Sequence, residues 1–289
     1  MELTRGRAGG VLGGMSRRIW CNGTILDEDE VHISPFDRGL TVGLGLFETI
    51  LAVDGRPVFL KRHLSRHAAA CRALGWKIPD EATLRTAIGE LLVANDLTSG
   101  HGRLRLFQTA GSGSLDDPAS GADALTFLTA VAAPPAPESV SVTFSKWPRN
   151  ERSSVAGWKC ASYAENLIAL QDARRQGYDE TYFLNTRGEI CEAATANLFV
   201  VKNGRITTPP LSSGCLPGIT RGWVLENASA TEEIVTRHDL LEADEVFLTS
   251  ALRGPVAVSR LDGREYRIPV IASRLRKAWE SSIGPNDLA

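Results

Sequence analysis

No apolar run in this 289-residue chain is long enough to cross a bilayer. The most apolar stretches, such as ALTFLTAVAA, run to about ten residues, against the roughly 18 that a spanning helix needs. No transmembrane helix is expected. Charge of one sign is equally scarce: Lys plus Arg number 32 and Asp plus Glu 34, a net charge of −2. That balance offers no electrostatic footprint for a polyphosphate backbone or an anionic bilayer, so neither nucleic acid nor membrane is expected as a partner. The five cysteines, Cys21, Cys71, Cys160, Cys191 and Cys215, form an odd set without a CxxC spacing. A disulfide framework and a zinc site are therefore disfavoured, and a reducing, cytoplasmic setting fits. Among five histidines only His63 and His67 stand at helical spacing, with no acidic third ligand nearby in sequence, so no metal is expected. Gly43-Leu44-Gly45 lacks the third glycine of a dinucleotide fingerprint, and neither a GxxxxGK loop nor a GxSxG elbow occurs.

What is present has the composition of a globular protein, 43% hydrophobic and 23% charged in 31.2 kDa. At roughly 100–200 residues per domain this length suggests two domains. Residues 1–16 read as a flexible leader without the apolar run of a secretory signal, and Met15 is a possible alternative start to Met1. Asn22-Gly23 and Asp54-Gly55, each between β-formers, predict hairpins. Helices are predicted over 62–74 and 80–95, the second capped by Asp80, with strands over 102–110 and 124–133. This is an α+β region over 17–133. Ala133-Pro134-Pro135-Ala136-Pro137 continues neither helix nor central strand, which makes 134–138 a linker. A second mixed domain is expected over 139–289. Its features are a half-buried strand through Val140, Val142 and Phe144, a helix closed by Gly177, and a terminal helix over 269–282. Turns are expected at Thr186-Arg187-Gly188, Asn203-Gly204 and Asp262-Gly263.

Chemistry is suggested by polar residues set where apolar ones would be expected: Lys159 after a tryptophan, Glu192 between Cys191 and Ala193, and Asn197 before LFVV. Each alone has a plain alternative as a solvated or turn-forming residue. LPGITR, from Leu216 to Arg221, says more. Pro217-Gly218 ahead of a helix start aims free N–H groups and the positive end of the helix dipole at one point, which suits a phosphate.

In this order the segments WKCASYAEN, GYDETYFLNTRGEICEAATANLFVV and GRITTPPLSSGCLPGITR resemble the signature run of class IV aminotransferases, the fold-type IV pyridoxal-phosphate enzymes. Upstream, FDRGLTVGLGLFETI and FLKRHLSRH are similar to the same family, so the resemblance covers nearly everything from Arg18 onward. It implies a cofactor cleft between two mixed α/β domains, closed by a second subunit of a homodimer. Lys159 would be the amine that forms the Schiff base with pyridoxal 5′-phosphate and also shuttles the proton. Glu192 would sit beside the pyridine nitrogen and keep it protonated. Arg66, Gly218, Ile219 and Thr220 would hold the phosphate, and Leu216 would pack on the ring. Tyr163 and Asn197 would orient the ring hydroxyl side or Glu192.

Three departures stand out. Leu44 replaces the usual acid of a GDG turn, His67 replaces a leucine after Arg66, and Ala110-Gly111 stands where D-amino-acid aminotransferases and 4-amino-4-deoxychorismate lyase carry an arginine before a glycine. Recognition of a D-amino-acid carboxylate in that manner is thus not expected. Arg105 stands where branched-chain aminotransferases have an arginine, and Arg253 lies in TSALRG with Ser250 and Ala251. Either arginine is a candidate for a substrate carboxylate, with a surface salt bridge as the competing reading. Phe47 and Thr49 of the FET motif complete the candidate substrate residues. Cys160, Cys191 and Cys215 adjoin site residues but read as small core residues.

Three functions follow from the resemblance. The first is transfer of an amino group from an amino donor to a 2-oxo acid. The second is a lyase of the 4-amino-4-deoxychorismate type releasing pyruvate, kept open by Thr49. A catalytically inactive cofactor-binding protein is the third, disfavoured because Lys159 and Glu192 are both present.

Overall fold

A computed structural model describes residues 16–114, 116, 121, 123–266 and 269–283. The expected leader and Met15 lie, apart from residue 16, outside the described residues. The first half of the chain runs β1 (Arg18–Cys21), β2 (Thr24–Asp27), α1 (Arg38–Thr41), β3 (Gly45–Val53), β4 (Arg56–Pro57), α2 (Leu60–Leu74), α3 (Glu81–Ala94), β5 (His101–Thr109) and β6 (Thr126–Ala132). Its strands form a six-stranded sheet in the order β2-β1-β6-β5-β3-β4. The second half runs β7 (Ser139–Phe144), α4 (Ala164–Arg175), β8 (Glu180–Leu184), β9 (Ile190–Ala193), β10 (Asn197–Lys202), β11 (Arg205–Thr208), α5 (Ile219–Asn227), β12 (Thr231–Glu232), α6 (Arg237–Leu241), β13 (Glu245–Ser250), β14 (Gly254–Leu261), β15 (Arg264–Glu265) and α7 (Val270–Ser282). These strands make a second, nine-stranded sheet, ordered β12-β11-β10-β13-β14-β7-β8-β9, with β15 paired to β14. Between the sheets the Ala-Pro segment is tied to α7, where the Arg276 guanidinium donates to the carbonyls of Ala136 and Pro137.

The turn chemistry places the hairpins. At Asn22-Gly23, Asp54-Gly55, Asn203-Gly204 and Asp262-Gly263 both residues have positive φ, the backbone that a two-residue hairpin demands and that Asn, Asp and Gly tolerate best. Asp80 caps α3 by accepting from the Thr83 amide at 2.8 Å. Helix α2 begins at Leu60, two residues before the expected start, and ends where Gly75 adopts a left-handed conformation.

Alternation along β3 decides how the layers pack. Ile50 and Ala52 point into a core with Leu60, Leu64, Leu84, Ile88, Leu91 and Leu104, under α2 and α3. Leu51 points the other way, into a core shared with Phe199, Phe247, Trp223 and Trp279 of the second half. Strand β3, next to the short edge strand β4, is thus buried on both faces. Strand β7 is half-buried, as its alternation predicts: Val140 and Val142 are buried, Ser139 is exposed and Ser141 partly so. It lies between β14 and β8, parallel to both, and Thr143 is buried as Val142 is. Replacing fully buried Leu104 with alanine is expected to lower unfolding stability by about 2–5 kcal/mol, read from denaturant midpoints at constant slope.

Candidate active site

Lys159 reaches the first sheet through its backbone. The Phe47 amide donates to the Lys159 carbonyl at 2.9 Å, the Ala161 amide donates to the Gly45 carbonyl at 2.8 Å, and Cys160 pairs with Leu46. The segment from the second half of the chain therefore runs along the start of β3, and its lysine is carried in with it. The Nζ atom lies 4.6 Å from the centre of the Phe47 ring and 5.8 Å from that of Tyr163. Removal from water is the main cause that draws this amine down to about 8, and the Arg66 guanidinium adds to it, while Glu48 and Glu192 oppose. A substantial neutral fraction exists near pH 7–8, the form that attacks a carbonyl.

Glu192 is buried on β9. One carboxylate oxygen accepts from the Leu216 amide at 2.9 Å and the other from Arg149 Nη1 at 3.2 Å. Burial raises its pKa, and Arg149, the Leu216 amide and Lys159 pull against that rise. Arg149 itself lies over the ring of Phe183 on β8, 4.4 Å from its centre. Sequence reasoning missed Arg149, because only the parallel pairing of residue 149 with Asn185 brings it to Glu192.

The Arg66 guanidinium spans three elements. Its Nε and Nη2 donate to the two oxygens of Glu48, at 2.8 and 2.6 Å, and its Nη1 donates to the Pro217 carbonyl at 2.8 Å. Glu48 also takes the Nδ1 side of His63, at 2.7 Å. The acid that His63 lacks in sequence is therefore supplied from β3. Burial would raise the Glu48 carboxyl, but Arg66 and the His63 hydrogen bond hold it well below the usual carboxylate range. Next to it, His67 contacts the Gln108 side chain at 2.9 Å, which accommodates a histidine where a leucine is usual.

Helix α5 starts at Gly218 without a side-chain cap. A Cβ there would lie 2.0 Å from Asn197 Oδ1, so only glycine fits. The Asn197 amide group meanwhile donates to the Leu216 carbonyl at 2.9 Å, which fixes the LPG turn against β10. The Thr220 hydroxyl donates to the Ser250 carbonyl at 3.1 Å and so ties the helix start to the 250–253 turn. Partly buried Ile219 follows the cap, and Leu216 and Ala251 are partly buried as well. The Tyr163 hydroxyl donates to the Ala194 carbonyl at 2.9 Å, one residue from β9.

Phe47, Arg66, Lys159 and Pro217 line one cavity of about 600 Å³ together with Glu48 and His67. Glu192, Tyr163 and Arg105 stand around Lys159 within electrostatic or ring-contact range but do not line that cavity. Arg105 lies 4.4 Å from the centre of the Phe47 ring, and Thr49 is directly opposite it across the β3–β5 ladder. Arg253 is held elsewhere: it donates to the Ser250 hydroxyl and the Thr195 hydroxyl and pairs with buried Glu180 at 3.3 Å. Cys191 and Cys215 are buried in a small core with Leu170 and Phe183, while Cys160 is partly buried.

Residues 45–261 match the family described as amino-transferase class IV. The chain is 33% identical, over 86% of its length and 88% of the relative's, to a protein of Methanocaldococcus jannaschii named "Putative branched-chain-amino-acid aminotransferase". It is 28% identical, over the same shares of the two chains, to the aminodeoxychorismate lyase of Bacillus subtilis. Its fold superposes on the branched-chain aminotransferase of Thermoproteus uzoniensis, solved with norvaline, at a TM-score of 0.85 and 26% identity, covering 93% of this chain and 95% of that one.

The chain belongs to the class IV aminotransferase family.

Class IV aminotransferases are pyridoxal-phosphate enzymes of fold type IV, and the groups assembled in this one fit that cofactor. A desolvated amine without a carboxylate hydrogen bond, an uncapped helix N-terminus beside an arginine, and a buried carboxylate held ionisable by a second arginine are the three binders it needs. In the cofactor-free protein, acylation of Lys159 is expected to rise with a midpoint near pH 8, followed by peptide mapping. A midpoint at the ordinary lysine value of about 10.4 would contradict the desolvated site.

Proposed function

We propose that this class IV aminotransferase moves the amino group of an amino acid to a 2-oxo acid. The observation that carries the reading is Arg105. Among the described residues no carboxylate pairs with it, and it is stacked on the same Phe47 ring that Lys159 Nζ approaches. An unpaired guanidinium beside the reactive amine suits a substrate carboxylate, which both partners of the transfer possess and simple amines lack.

When bound, pyridoxal phosphate supplies the carbonyl that joins the amine and the electron-accepting ring. Lys159 then holds and returns the proton at the substrate carbon through Nζ, a task for which an amine near 8 is matched to neutral pH. Glu192 is the carboxylate for the pyridine nitrogen; burial raises its pKa, and Arg149 and the Leu216 amide favour its ionised form against that rise. Arg66, with the amides of Ile219 and Thr220, takes the phosphate; Leu216 takes the ring face; Tyr163 and Asn197 position the neighbouring backbone. Phe47 and Thr49 border the substrate with Ser250 and Ala251. Arg253, engaged by Glu180, serves the turn that carries Ser250.

A cleft between domains at 17–133 and 139–289, joined by 134–138, accords with two sheets that share one core through Leu51. A homodimer is the assembly that best accounts for Ile33, Phe36, Leu40 and Val42, which expose an apolar patch around α1 on a single chain. Five free cysteines accord with the cytoplasm, and among the described residues no helix is long and apolar enough to cross a membrane.

A second reading, lyase action on 4-amino-4-deoxychorismate, is favoured by Thr49 facing Arg105 and by the Bacillus subtilis relative. Two measurements separate the reactions. Appearance of donor ¹⁵N in the amino acid formed from an added 2-oxo acid supports transfer; pyruvate and 4-aminobenzoate released without any acceptor support the lyase. Lys159→Ala is expected to abolish either reaction, and near-normal turnover in that variant refutes the assignment. Glu192→Gln should cost roughly 10²-fold or more in kcat with cofactor retained. Arg105→Met should raise KM for the 2-oxo acid roughly 10- to 100-fold, the loss of hydrogen bonds to a charged group. An unchanged KM would remove Arg105 from the substrate site.

A further inference from the structure

We infer that Glu48 is the positioning residue for Arg66, and that its carboxylate serves phosphate affinity by fixing the guanidinium's orientation. The inference rests on Arg66 being a phosphate anchor, as proposed above. Strand alternation turns Glu48 away from Phe47 and Thr49 and toward α2, where His63 and Arg66 stand one turn apart on the facing side. The carboxylate is 1% exposed and receives three hydrogen bonds: 2.8 and 2.6 Å from Arg66, and 2.7 Å from His63.

Of the five N–H groups on a guanidinium, Glu48 takes two and the Pro217 carbonyl takes one. Two remain, one on each terminal nitrogen, in a group that can no longer rotate. Pro217 immediately precedes Gly218, the uncapped start of α5. The carboxylate therefore locks the arginine to the turn whose amide groups are the other half of the anion site. His63 completes the lock without adding charge, since burial lowers its pKa and its neutral ring still donates one N–H.

Charge and geometry make opposite demands here, which makes the idea decidable. A buried carboxylate against Arg66 cancels most of its field, so removing that charge should strengthen phosphate binding if the field were what counts. If orientation counts, removal should weaken it, because a long side chain must then be ordered at the moment of binding.

The test is equilibrium binding of pyridoxal phosphate and of pyridoxal, which lacks the phosphate, to the full-length chain and its variants, read by quenching of tryptophan fluorescence. Glu48→Gln is expected to weaken pyridoxal phosphate roughly tenfold or more while changing pyridoxal by less than about twofold, the size of a lost charge-assisted hydrogen bond. In an Arg66→Met background, Glu48→Gln should add nothing further. Unchanged or tighter pyridoxal phosphate binding in Glu48→Gln overturns the proposal, and so does an equal loss for both ligands, which would mark a merely structural role. Should Arg66→Met leave pyridoxal phosphate affinity intact, the phosphate-anchor reading itself fails. If Glu48→Gln does not fold, Glu48→Asp decides. It keeps the charge and withdraws the acceptor by one methylene, so a selective loss supports positioning and full affinity refutes it.

Discussion

The short pairing of the Lys159 segment with the start of β3 is the constraint on which this enzyme depends. Two backbone hydrogen bonds, Phe47 to Lys159 and Ala161 to Gly45, make Lys159 part of the edge of a sheet built by the other half of the chain. A side chain at the end of a free loop would sample water and keep an ordinary lysine pKa. Pinned beside Phe47 and Tyr163, the same amine is desolvated, and its pKa falls. The shared core around Leu51, Phe199 and Phe247 gives that pairing a rigid support.

Around the lysine, charge is distributed as pairs with different degrees of cancellation. Arg66 is matched by Glu48, and Arg149 by Glu192 and, at 3.3 Å, Glu165. Arg105 lies over the Phe47 ring, and among the described residues no carboxylate pairs with it. The matched pairs fix the direction of their groups, and in the proposed function the unmatched one is the candidate for a substrate carboxylate. Buried ion pairs of this kind contribute little net stability, since desolvation offsets most of their attraction. Their worth is in direction: a bidentate carboxylate holds a guanidinium at one angle.

Much of this was legible before folding was considered. The Asn-Gly and Asp-Gly turns have physical requirements that few residues meet, so the hairpins stand where expected, and Asp80 caps the helix it precedes. Lys159, Glu192, Arg66 and LPGITR lie in segments whose order alone resembles class IV aminotransferases. The alternation of β7 was legible too, with Val140 and Val142 inside and Ser139 outside, although Thr143 on the opposite face is also buried.

What the amino-acid order determined by itself was the local geometry and the family: turns, caps, the glycine that the helix start requires, and the ionisable side chains available for chemistry. The partners of those side chains were decided only by the tertiary structure. Glu48 is 15 residues from His63, Arg149 is 43 from Glu192, and Arg66 is 151 from Pro217. Sequence spacing carries contact information only within a turn of helix or along one strand, whereas electrostatic tuning acts through space at 3 Å. The pKa of Lys159 therefore belongs to the packed molecule rather than to any segment of it.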